Sequence, residues 1–99
     1  MYVVTNTIRV PAAHAAHVEA GFSESAERMR QVPGCTGFLF LKEEPSADPC
    51  VYTALTQWDN EADFTDWLAS DQFRQAHSGV NDRASGGEVR RYAVIAASE

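Results

Sequence analysis

The chain has 99 residues, enough for one small domain spanning 1–99 and too few for two. Hydrophobic residues make up 44% and charged residues 22%, globular usage that excludes a disordered, collagenous or coiled-coil chain. The formal net charge is −6 and Lys42 is the single lysine; no basic cluster is longer than Arg90-Arg91, which argues against nucleic acid and anionic membranes as partners.

Tyr2 to Val10 alternates, with Tyr2, Val4, Ile8 and Val10 on one face and Val3, Thr5, Thr7 and Arg9 on the other, predicting a strand. Asn6 is the polar exception on the apolar face. From Ala12 to Gln31 the residues Val18, Phe22, Ala26 and Met29 recur at helical spacing, and Pro33-Gly34 ends the helix. Phe38-Leu39-Phe40-Leu41 is apolar without alternation, as in a strand covered on both faces. The loop Glu44 to Pro49 reverses the chain into a third strand, Val51 to Trp58. In that hairpin Cys35 falls opposite Trp58 and Cys50 near Glu43, about 20–25 Å apart, so free thiols are expected.

Asp59 or Asn60 caps a second helix carrying Phe64, Trp67 and Leu68 on one stripe, with a break at Ser70-Asp71. A short helix, Gln72 to His77, a polar loop from Gly79 to Glu88 and a last strand, Val89 to Ala97, complete the order βαββαβ. That order predicts an α+β, ferredoxin-like sandwich with both helices on one face of an antiparallel sheet. The doubly apolar Phe38 to Leu41 strand then calls for a second copy on the bare face, giving a homodimer and a dimeric α/β barrel. The chain start lacks a basic, apolar leader and no run reaches the roughly 20 apolar residues of a membrane span, so a cytoplasmic protein is expected.

An amide at Asn6 needs a hydrogen-bonding partner, either structural or a ligand in a cleft under the helices. Trp67, on its stripe, is by pattern a core residue. His14 and His17 read as exposed, and no HxxxH, HExxH or CxxC spacing builds a protein-only metal site. A lone histidine such as His77 suits haem iron better, because the porphyrin supplies four other ligands. Nucleophile elbows, phosphate loops and paired carboxylates are missing from the sequence, which sets hydrolase and nucleotide chemistry aside.

Asn6, the pattern Trp58-x5-Phe64-x2-Trp67 and the segment Trp67-Leu68-Ala69-Ser70-Asp71-Gln72-Phe73-Arg74-Gln75-Ala76-His77 resemble the IsdG-type haem-degrading monooxygenases of the antibiotic biosynthesis monooxygenase superfamily. The likeness implies an enzyme, a haem oxygenase, that opens the porphyrin with O2 and an external electron donor and releases iron. Haem is then substrate and cofactor together, with no flavin. It also implies that His77 is the proximal ligand to haem iron, that Asn6 hydrogen-bonds dioxygen on the distal side, that Trp67 ruffles the porphyrin and that Phe22 packs on it. The family's arginines beside and after that phenylalanine are replaced by Gly21 and Ser25, leaving Arg28, Arg74 or Arg83 to pair with propionates. Two alternatives keep the fold: a cofactor-independent monooxygenase acting on a phenol or quinol with His77 as general base, and a non-catalytic haem-binding dimer.

Overall fold

The computed structural model describes residues 1–70 and 85–98. Strand β1 spans Tyr2–Val10, helix α1 Ala15–Met29, β2 Cys35–Lys42, β3 Cys50–Trp58, α2 Glu61–Leu68 and β4 Ser85–Ala93. The four strands form one antiparallel sheet in the order β2-β3-β1-β4. This is the expected ferredoxin-like arrangement, with β1 and β3 central and β2 and β4 at the edges.

Alternation in β1 sets which side of the sheet is buried. Val4, Ile8 and Val10 are at most 7% exposed, and their cross-strand partners Thr56, Tyr52 and Cys50 are buried with them. The helix side holds two apolar clusters. One gathers Val4, Met29, Val32, Trp58 and Phe64; the other gathers Ile8, Val10, Val18, Cys50 and Tyr52. Buried polar groups inside the first are satisfied: Trp58 Nε1 donates to Thr56 Oγ1 at 2.8 Å, and Thr56 Oγ1 donates to the Val4 carbonyl at 3.4 Å.

Helix α1 is shorter than the spacing predicts. Ala12–His14 forms a 3-10 turn, closed by the His14 amide donating to the Pro11 carbonyl at 2.8 Å, before the α-helix begins. Beyond Met29 the chain tightens into i→i+3 bonds and leaves through Gly34 at φ 83. Helix α2 starts as predicted: Asn60 Oδ1 accepts from the Asp63 amide at 3.0 Å, with Glu61 and Asp63 in the first turn.

The last strand is a correction. It runs from Ser85 to Ala93, not from Val89 to Ala97, because β1 dictates its extent. Ser85 pairs with Arg9 and Ala93 with Tyr2; past Ala93 β1 offers only the Met1 carbonyl, which accepts from Val94 at 3.2 Å. The run Phe38 to Leu41 is also covered differently within the chain. Phe38 and Phe40 pack into the clusters, whereas Leu39 and Leu41 are 54% and 44% exposed on the bare face. The cysteines match expectation: Cys35 lies opposite Trp58, the Glu43 amide bonds the Val51 carbonyl beside Cys50, and both thiols are free.

Candidate functional site

Asn6 sits between the two clusters. On β1 it is flanked on its own face by Val4, in one cluster, and Ile8, in the other. Across the sheet the register Phe40, Ala54, Asn6, Val89 makes one row, in which the small Ala54 side chain leaves the amide without a large neighbour on β3. Asn6 Oδ1 is buried and has no hydrogen-bond partner among the described residues. Among the described residues the fold supplies Oδ1 with no structural partner; a polar donor on a ligand would satisfy it.

Each wall of this row is aromatic. On one side Phe22 of α1 stacks on Phe40 at 4.1 Å between ring centroids and 6°, and Phe40 stacks on Tyr52 at 5.0 Å and 8°. The column is tied to the helix, since Tyr52 Oη donates to Glu19 Oε2 at 2.6 Å and Lys42 Nζ donates to the same oxygen at 3.1 Å. These bonds hold the Glu19 carboxyl below its usual range, with Tyr52 the larger influence. Burial first and Glu19 second push the Tyr52 hydroxyl up. Sequence reading missed this cluster, although Lys42 as the single lysine and Glu19 one turn before Phe22 were visible.

On the other side the spacing Trp58-x5-Phe64-x2-Trp67 becomes a three-ring contact. Trp58 meets Phe64 at 5.6 Å and Trp67 at 5.5 Å, and Phe64 meets Trp67 at 6.3 Å. Trp58 and Phe64 are buried, while Trp67 is half-buried. Helix α2 ends after Leu68, and the Ser70 amide and hydroxyl both donate to the Trp67 carbonyl, at 2.9 and 2.6 Å, which places the predicted break at Ser70. Arg91 of β4, opposite Val4, lies over the Phe64 ring at 5.1 Å, another residue the sequence reading did not single out.

Of the predicted site residues, Asn6, Phe22 and Trp67 thus share the helix side of the sheet, Asn6 on the row between the clusters that hold the other two. His77, Arg74, Arg83 and the predicted helix Gln72 to His77 lie outside the described residues. Arg28 points away, paired with Glu24 at 3.8 Å on the exposed face of α1. His14 and His17 are exposed. A separate cavity of about 350 Å³ opens between α1 and β2, lined by Phe22, Ala26, Phe38 and Lys42 among others, and not by Asn6 or Trp67. Among the described residues, no helix is long and apolar enough to cross a membrane.

The sequence model of the antibiotic biosynthesis monooxygenase family matches residues 1–79. The chain belongs to the antibiotic biosynthesis monooxygenase family. A curated relative in this family, the heme oxygenase (staphylobilin-producing) of Staphylococcus saprophyticus, is 34% identical over 85 residues, covering 86% of this chain and 81% of its own. The heme-degrader MhuD of Mycobacterium tuberculosis, solved with two hemes bound in its active site, superposes with a TM-score of 0.81 at 26% identity and covers all of both chains. A Deinococcus radiodurans structure superposes with a TM-score of 0.86 at 23% identity, over all of this chain and 97% of its own, and shares the fold.

Proposed function

We propose that this family member is a haem-degrading monooxygenase for which haem is substrate and cofactor together. The observation that carries the proposal is the Asn6 Oδ1, buried and without a partner among the described residues, between two aromatic clusters. A flat apolar molecule with a polar centre, bound between these clusters, would meet aromatic side chains on two sides and one hydrogen-bonding group between them. The curated relative at 34% identity supports the same reading.

Bound haem would supply an iron centre for dioxygen activation and would itself be the molecule oxidised, with electrons from an external donor. His77 is the candidate proximal ligand, its neutral imidazole giving an electron pair to the iron. Asn6 can turn either Oδ1 or Nδ2 into the cleft by rotation about χ2, and in this role Nδ2–H donates to an oxygen there. Trp67, half-buried against Trp58 and Phe64, is backed firmly enough to press on a ring, and Phe22 is held in place by its stack on Phe40. The bare sheet face, with Leu39, Leu41 and Tyr92 exposed, is where a second copy would pack to make a homodimer. Free thiols at Cys35 and Cys50 suit a reducing, cytoplasmic setting.

The test is a hemin titration of the wild type and His77→Ala, followed by the Soret band. A saturable, shifted band that the variant loses is expected, and ascorbate in air with catalase present should then bleach it. An unshifted wild-type band would overturn the proposal in favour of a cofactor-independent monooxygenase. A stable ferric complex that survives reductant and air would instead mark a binding protein.

A further inference from the structure

Most described cations are spoken for. Arg28 and Arg30 pair with Glu24 and Glu27 on the surface of α1, Lys42 is bound to Glu19, and Arg90 pairs with Glu88 at 3.7 Å. Arg91 has no ion pair among the described residues, and it faces the other way from Arg90. Opposite Val4, it projects to the helix side, two residues along β4 from Val89, the partner of Asn6. That is one row from the unpartnered amide, about 7 Å along the strand.

Its setting is specific. The guanidinium lies over Phe64 at 5.1 Å, and Phe64 is the ring that also meets Trp67. The cation–π contact holds the guanidinium near the Phe64 ring, and a guanidinium carries a planar fork of donors that can make two parallel bonds with a carboxylate. In a chain of net charge −6, which gives no general attraction for an anion, a cation one row from Asn6 would mark out anionic ligands there.

We propose that Arg91 recognises a carboxylate on the ligand of the Asn6 cleft, so that the site selects planar apolar molecules carrying carboxylates over their neutral analogues. This rests on haem as the ligand, whose propionates are such carboxylates. Arg28, one of the sequence's candidates for that role, is engaged elsewhere; Arg91 takes its place from the opposite side of the cleft.

Hemin and hemin dimethyl ester, whose side chains are neutral, are titrated against wild type, Arg91→Gln and Arg91→Lys, with the melting temperature of each ligand-free protein recorded. The wild type should prefer hemin. Arg91→Gln should weaken hemin about tenfold or more and leave the ester unchanged, so that the preference collapses. Arg91→Lys should keep part of it, because charge remains while the paired-donor geometry is lost. If Arg91→Gln weakens both ligands equally, Arg91 merely supports Phe64 and the proposal is overturned. If the preference survives in Arg91→Gln, the propionates are held elsewhere and it is again overturned, with haem binding intact. A wild type that binds neither porphyrin removes the haem proposal itself, and this one with it.

Discussion

Replacing Asn6 with leucine separates what the residue costs the fold from what it does. Its Oδ1 is buried without a partner among the described residues, between Val4 at 6% and Ile8 at 7% exposure. A buried amide oxygen left without a hydrogen bond costs about 1–3 kcal/mol. Leucine, branched at the same carbon, removes that cost and adds apolar burial at about 25 cal/mol per Å². Both effects have the same sign. Because the side chain is half-buried, the lower part of the range applies, so Asn6→Leu should stabilise the ligand-free protein by about 1–2 kcal/mol. For a domain of this size each kcal/mol raises Tm by about 4–8 °C, so calorimetry at one protein concentration should show a rise of roughly 4–16 °C. The same variant should lose most haem turnover, the exchange of stability for activity expected of a polar group kept for a ligand. A Tm at or below the wild-type value would refute the reasoning, since it would mean that the amide is already satisfied in the native state.

Three more outcomes follow from the geometry. Tyr52 has a raised pKa, so as pH climbs the unfolded chain deprotonates first, near the usual value of 10.0; Tyr52's contribution is complete below that pH and lost above it. Tyr52→Phe should therefore cost about 1 kcal/mol at pH 7, and urea curves at pH 11 should show a smaller gap from wild type; a constant gap refutes the linkage. Gly34→Ala should lower Tm, because φ 83 strains a side chain by about 1–2 kcal/mol and the new Cβ would overlap the Asp63 carboxyl group; an unchanged Tm would show that the turn relaxes freely. Leu39→Glu puts a carboxylate in the bare face where Leu39 is 54% exposed, so sedimentation should shift from dimer to monomer with circular dichroism unchanged. A wild type that sediments as a monomer would refute the dimer.

Periodicity made most of the fold legible. Alternation in β1 named its buried side residue by residue, and the cap at Asn60 and the spacing of Phe64 and Trp67 placed α2. The last strand was misread because Ser85-Gly86-Gly87 carries loop chemistry locally, while its strand state comes from pairing with β1, a non-local cause. Asn6 was legible as an anomaly in an apolar pattern. Arg91 was not, because its meaning depends on the ring beneath it, and Phe64 lies far away in sequence. The Tyr52, Glu19 and Lys42 cluster was hidden for the same reason, since three elements bring it together.

The pleat of β1 gives its residues two separate constituencies by parity. Even positions, Val4, Asn6 and Ile8, answer to the helices and whatever lies beneath them, while odd positions, Val3, Thr5 and Thr7, answer to the open side. If the proposed haem site and dimer face hold, ligand choice and assembly can drift apart by point substitution, each without disturbing the other. Length is different. One residue inserted into β1 would exchange the two sets at a stroke, putting threonines under the helices and the amide on the outside, so the strand can vary widely in composition and hardly at all in count.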